Sequence, residues 1–239
     1  MKLDVLAIGA HPDDVELACG GTLALLAQSG RRVGILHLTR GERGTRGTAE
    51  ERLAEAERAA EALGATDLAF LDCGDGGLRQ GEAEEDALIE VLRAWRPELV
   101  LGPTPHDRHP DHTRAHQLVE SACFYSGLVN RGEGEAHRPA AVFSFMQHDP
   151  FDPRFVVDVT ATWEVKIQAL RAYRSQLFQA EERREEPVTK ISTAEFSLMI
   201  EGRARHFGAL IGATYGEPFW SRLPLAVPDP MALLPQGVR

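Results

Sequence analysis

Four short apolar runs, each followed by a stretch with helical periodicity, restrict what the first half of this chain can become. The runs cover residues 3–9, 33–38, 68–71 and 99–102, and the helical stretches cover 17–29, 49–63, 83–95 and 113–125. Continuous apolar runs of this length are the mark of strands covered on both faces. Strands alternating with helices imply a parallel sheet with right-handed crossovers. Local punctuation agrees. Thr48 stands three residues before Glu51 in a capping-box pattern, and Gly30 and Gly64 fall where helix C-caps belong. The expected fold class is α/β, a Rossmann-like, mostly parallel sheet flanked by helices.

The second half is less regular. Residues 140–146 and 154–157 read as strands, and 162–173 and 193–210 as helices. Residues 180–190 are charged and read as a solvated helix end and loop. The tail carries Pro224, Pro228, Pro230 and Pro235 and should be extended. No internal repeat or linker divides the chain, so one domain over 1–239 is expected, a usual upper size for an α/β unit.

Composition removes several classes of function. A formal net charge of −10 disfavours nucleic acid and anionic membranes, both of them polyanions. No stretch approaches the roughly 18 uncharged apolar residues of a membrane helix. Lys2 and Asp4 flank the start of the first apolar run, and polar residues interrupt it by His11, so it does not read as a secretory signal. Cys19, Cys73 and Cys123 form no Cys-x-x-Cys pair. They read as buried small hydrophobes of a cytoplasmic protein.

Chemistry concentrates in two places. Ala10-His11-Pro12-Asp13-Asp14-Val15-Glu16 follows the first strand, and His106-Asp107-Arg108-His109-Pro110-Asp111-His112 follows the fourth. In the common doubly wound order these two strands are neighbours, so both clusters open into one crevice where the topology reverses. A catalytic zinc takes three protein ligands from His, Asp and Glu and leaves a position open. His11 and Asp14 can chelate from one loop, His112 can close the site from across the crevice, and Asp13 stays free to act on water. Iron(II) or another divalent ion suits the same nitrogen and oxygen donors. An Asp-Asp pair at a helix start can equally be a cap. His116 lies one turn beyond His112 and is an alternative ligand. His109, just ahead of the helix, suits a different role, with Asp111 as the partner that would hold it as imidazolium. His37, His137, His148 and His206 belong to no cluster.

The loop Gly41-Glu42-Arg43-Gly44-Thr45-Arg46-Gly47-Thr48 follows the second strand and has no Walker pattern. Arg52, one turn into the next helix, and Arg108 can face the crevice. Arginine grips carboxylates in a two-pronged fashion.

The motif Ala-His-Pro-Asp-Asp-Val-Glu with the later His-Pro-Asp-His resembles the LmbE/PIG-L family of zinc-dependent N-deacetylases. The likeness extends to Gly20-Gly21-Thr22, the 39–48 loop, Glu51-Arg52, Asp107 to His112 and Tyr173-Arg174-Ser175-Gln176. These segments are similar to the bacillithiol-pathway branch, which removes acetyl from N-acetylglucosaminyl-malate. The resemblance implies His11, Asp14 and His112 as zinc ligands and Asp13 as general base. It implies His109, paired with Asp111, as oxyanion stabiliser, and Arg52 and Arg108 as substrate-binding residues. It further implies a cytoplasmic homo-oligomer, often a hexamer, acting on a small acetylated amino-sugar conjugate. Residues 185–192 depart from the branch pattern, which bears on the rim of the site. Two other readings compete: an N-deacetylase of a different acetylated glycoside, and a non-catalytic nucleotide-binding α/β domain.

Overall fold

The computed structural model describes residues 2–178 and 187–233. The first half contains β1 (Val5–Gly9), α1 (Asp14–Gln28), β2 (Val33–His37), α2 (Ala49–Leu63), β3 (Asp67–Phe70), α3 (Glu82–Trp95), β4 (Leu99–Gly102) and α4 (Pro110–Tyr125). The second contains β5 (Ala141–Phe145), β6 (Phe155–Asp158), α5 (Trp163–Ala172), α6 (Ala194–Leu210) and β7 (Gly216–Trp220). The strands form one sheet in the order β3-β2-β1-β4-β5-β7-β6. The first five are mutually parallel, and β7 runs antiparallel to β5 and β6.

Side chains alternate across the sheet and explain the unbroken apolar runs. Val5 and Ala7 enter a core with Leu23 of α1, Ala59 of α2, Leu170 of α5 and Ile200 of α6. Leu6 and Ile8 enter the opposite core with Leu88 and Leu92 of α3 and Leu118 of α4. Both faces of the central strands are therefore buried, as parallel strands require. Thr48 caps α2 as its pattern foretold: its hydroxyl accepts from Glu51 N at 3.1 Å, and the Glu51 carboxylate accepts from Thr48 N at 2.8 Å.

Several elements differ from expectation. Helix α4 begins at Pro110 rather than 113, because proline suits the first helical position. This places Asp111 and His112 in the first turn. Helix α1 begins at Asp14 rather than 17 and is interrupted at Cys19 (φ −134°, ψ 18°). Its second half begins at Gly20-Gly21, where a Cβ on Gly21 would stand 2.8 Å from Val159 Cβ. Strand β7 escaped the sequence reading because it contains Pro218. The β5 ladder stops at Phe145–Phe219, so Pro218 pairs only with Val156 of β6 and needs no second ladder bond. In the tail, Pro230–Leu233 turns into a short 3₁₀ helix, so the expected extended run is broken there. Lys190–Ser192 is also 3₁₀, and the rest of the charged segment through 186 lies outside the described residues. All three cysteines are buried and free. No helix among the described residues is long and apolar enough to cross a membrane.

Candidate metal centre

Strands β1 and β4 are paired, so the chain reverses its order of addition between them and the crevice opens at their carboxyl ends. His11, Asp13 and Asp14 come from the turn after β1, and Asp107 through His112 from the loop after β4. Loops after the other parallel strands also arrive. Arg43 to Thr45 come from behind β2, Asp75 and Gly76 from behind β3, and His148 from behind β5, all lining one pocket of roughly 340 Å³.

Asp14 stands at the centre. Its Oδ1 lies 3.2 Å from His112 Nε2 and its Oδ2 lies 3.5 Å from His11 Nδ1. The outward nitrogens of both imidazoles are backed by carboxylates. His112 Nδ1 meets Asp107 Oδ1 at 2.9 Å. His11 Nε2 meets Asp75 Oδ1 at 3.2 Å and Asp111 Oδ2 at 3.4 Å. Metal-binding histidines characteristically donate their second N–H to a carboxylate, which fixes the tautomer that presents a lone pair inward. The donor set therefore fits a divalent cation between His11, Asp14 and His112, with nitrogen and oxygen ligands suited to Zn²⁺ or Fe²⁺. Nitrogens of His11, His109 and His112 also fall within 4.8 Å of one another, as do ligand atoms of Asp107, His112 and His148. Asp14 contacts both shared imidazoles directly, which favours it over His109 as the third ligand.

Electrostatics agree with that arrangement. Burial works against the charge on His112, but Asp14 and Asp107 raise its pKa to about 9. Burial likewise opposes the charge on His11, yet hydrogen bonds with Asp111, Asp14 and Asp75 raise it well above the usual value. Burial favours a protonated Asp14, and the two imidazoles override it and hold the carboxyl well below its usual range. Such a cage of negative oxygens holds protons where a cation can take their place.

Asp13 is different. It occupies the N-cap position of α1 with φ 108°, in the left-handed region, and its side chain makes no capping bond. The capping explanation of the Asp-Asp pair therefore fails for Asp13, and backbone strain of this kind gathers at working sites. Burial raises its pKa to about 7, against the pull of Arg52. Arg52 Nη2 lies 3.5 Å from Asp13 Oδ2.

Three expectations about neighbouring residues need correction. The carboxylate of Asp111 does not pair with His109. It faces His11, and its other oxygen accepts from Leu78 N at 3.0 Å and Arg114 Nη1 at 3.1 Å. His109 instead caps α4, its Nδ1 accepting from Asp111 N at 3.2 Å. Burial, then the positive charges of His11 and His112, lower its pKa, and with Nδ1 accepting from the backbone a ring proton belongs on Nε2. Arg52 lines the pocket and is buried, with its terminal nitrogens donating to Pro12 O (2.6 Å) and Gly41 O (3.1 Å) while its Nε has no partner among the described residues. The first turn of α2 packs it beneath the 11–14 turn. His148, which belonged to no cluster in the sequence, joins the pocket. Arg108 lines the pocket with its side chain exposed. His116, the alternative ligand, donates from Nδ1 to Pro103 O at 3.0 Å and turns away from the cluster.

Asp75 was missed because nothing local marks it beyond its place in a strand-to-helix loop. Asp107 lay inside the quoted motif, but only the fold reveals its two tasks. Its Oδ1 orients His112, and its Oδ2 accepts from His148 N at 2.8 Å.

Comparison with known proteins bears on this geometry. The profile of PIG-L, described as GlcNAc-PI de-N-acetylase, matches residues 6–123, which span both motifs. A diacetylchitobiose deacetylase of Thermococcus kodakarensis is 35% identical over 188 residues, covering 72% of this chain and 69% of its own length. The chain belongs to the PIG-L family. The likeness holds in three dimensions: a conserved protein of Thermus thermophilus, TT1542, superposes with a TM-score of 0.85 at 38% identity, covering 95% of this chain and 98% of its own. PIG-L relatives are not all deacetylases by name. A 4-oxalmesaconate hydratase of Pseudomonas putida is 31% identical over 189 residues, covering 72% of this chain and 73% of its own length.

Proposed function

We propose that this chain is a metal-dependent N-deacetylase of an N-acetylglucosamine conjugate with an anionic aglycone, N-acetylglucosaminyl-malate of bacillithiol biosynthesis being the specific candidate. The observation that carries the reading is the convergence of His11, Asp14 and His112 with carboxylates behind both imidazoles. In this reading these three residues hold Zn²⁺. When bound, the ion supplies Lewis acidity to the substrate carbonyl and lowers the pKa of water.

The remaining chemistry belongs to side chains. Asp13, held by Arg52 and strained into the pocket, takes a proton from the attacking water and passes it to the departing sugar nitrogen. General acid–base assistance of this kind contributes about 10²–10⁴-fold. His109 donates from Nε2 to the oxyanion of the tetrahedral intermediate. Asp111 keeps His11 oriented. Arg43, Arg108 and Lys190 line the same pocket. On a chain with net charge −10, three cations lining one pocket favour an anionic substrate.

A hydratase relative supports a second reading, addition of water to an unsaturated dicarboxylate. The two are separated by assay. Purified protein is analysed for bound metal, then offered N-acetylglucosaminyl-malate, plain N-acetylglucosamine conjugates and an unsaturated dicarboxylate. Acetate release that prefers the malate conjugate is the expected result. Arg108→Ala should raise KM for that conjugate more than for a neutral one. Equal effects on both would argue against an anionic aglycone, and absorbance change only with the dicarboxylate would favour hydration.

A further inference from the structure

Arg46 lies outside the pocket lining, yet it joins two segments that form it. Arg43, Gly44 and Thr45 precede it in the loop after β2, and Thr189, Lys190 and Ile191 come from the stretch ahead of α6. Its guanidinium donates from Nε to Ser175 O at 2.7 Å and from Nη1 to Pro187 O at 3.2 Å. Its own carbonyl accepts from Gln176 Nε2 at 2.6 Å, and Gln176 also lines the pocket.

Ser175 offers this fork a fixed anchor. It is fully buried, and Glu55 of α2 accepts from its N at 2.7 Å and from its Oγ at 2.6 Å. Gly47, with φ 67° in the left-handed region, lets the loop pass very close to it. A Cβ on Gly47 would stand 2.7 Å from Ser175 Cβ.

The two segments depend on Arg46 unequally. The 41–45 loop has anchors of its own. Gly41 O accepts from Arg52 Nη1 at 3.1 Å, Arg43 N donates to Asp75 Oδ2 at 2.7 Å, and Glu42 Oε1 accepts from Asp75 N at 2.9 Å. Residues 187–192 bond within themselves and to the adjoining Thr193: Thr189 N donates to Ser192 Oγ at 2.9 Å, Ser192 N to Thr189 O at 3.2 Å, and Thr193 Oγ1 to Lys190 O at 3.1 Å. Among the described residues, the bond from Arg46 to Pro187 is the one hydrogen bond that carries this segment across to another part of the fold. Partly buried Ile191 adds apolar packing. Lys190 stands three residues beyond Pro187, so what holds Pro187 sets where that ammonium meets the pocket.

Resting on the anionic-substrate reading above, we propose that Arg46 is a positioning residue for aglycone selection: it pins residues 187–190 to the Ser175 anchor and so keeps Lys190 at the pocket, where the substrate's anionic group docks. Arg46 acts through Lys190 and does not touch the substrate. The metal centre and Asp13 are held by other bonds, so loss of the fork changes KM and spares kcat.

The test uses Zn²⁺-loaded, full-length protein and follows acetate release from N-acetylglucosaminyl-malate and from the neutral methyl glycoside of N-acetylglucosamine. Arg46→Ala should raise KM for the malate conjugate about 10-fold, the worth of one charge-assisted hydrogen bond, and leave kcat and the neutral KM in place. Its amides over 187–192 should exchange with deuterium faster than those of the wild type. On a Lys190→Ala background, Arg46→Ala should add little, because the side chain it acts through is gone. An equal rise in KM for both conjugates, unchanged exchange, or a fully additive effect in the double variant would overturn the proposal. If thermal melting shows that Arg46→Ala does not fold, Arg46→Lys takes its place in the same cycle, since one ammonium cannot reproduce the two-pronged grip. Wild-type protein with one KM for both conjugates would defeat the anionic reading and this proposal with it. A wild type that prefers the malate conjugate, matched by an Arg46→Ala variant that keeps the preference, would defeat this proposal alone.

Discussion

The molecule buries ionised groups in two regions, and they are built on opposite plans. Around Glu217 on β7, both carboxylate oxygens are matched by donors. Its Oε1 accepts from Gly21 N (3.0 Å) and Lys166 Nζ (2.6 Å), and its Oε2 accepts from Thr22 N (2.7 Å) and Thr22 Oγ1 (2.6 Å). That carboxylate caps the second half of α1 where the helix restarts after Cys19, and Lys166 of α5 balances its charge. At the pocket, Asp13, Asp14, Asp75, Asp107 and Asp111 crowd around His11 and His112, with Arg52 as the buried guanidinium. The first network is closed by its own residues. The second gathers five carboxylates around two imidazoles that hold protons where a cation can take their place. Saturation, more than burial, separates a structural ion cluster from a working one.

This contrast can be broken or sharpened by mutation, and the largest effect belongs to the ligands. His112→Ala should abolish stoichiometric cation binding, measured by elemental analysis, while the protein stays folded. Next comes Asp13→Asn, which should keep the metal yet lower kcat about 10²–10⁴-fold in an acetate-release assay. At the other cluster, Lys166→Met should cost about 3–5 kcal/mol in denaturant unfolding, because it strands Glu217 as an uncompensated buried charge. Cation affinity should not move. Asp107→Asn is the smaller test, expected to weaken cation affinity about 10–100-fold by loosening His112. If Lys166→Met lowered cation affinity as much as Asp107→Asn does, the two networks would be one unit, and a division into a structural and a working cluster would be wrong.

The same contrast marks where sequence reading succeeds. Helix α2 announces itself through Thr48 and Glu51, and β1 through an apolar run whose alternate residues enter both cores. His11, Asp14, Asp107 and His112 sit in two short segments whose composition is already unusual. Glu217 and Lys166 carry no such signal, since one lies in a strand broken by Pro218 and the other on an ordinary amphipathic helix. Asp111 misled for a related reason. Two positions from His109 it looked like that residue's partner, but the first turn of α4 directs its carboxylate to His11, 100 residues away.

Chain-local patterns thus settled the α/β class, the parallel first half and the two segments that carry chemistry, because periodicity, caps and turns act over a few residues. The three-dimensional fold alone brought Asp75 and His148 to the pocket and placed Glu217 under α1. Those assignments depend on strand order, which sets the loops that meet at the sheet's carboxyl edge. Strand order is decided by the burial of both sheet faces at once, a property no short segment contains.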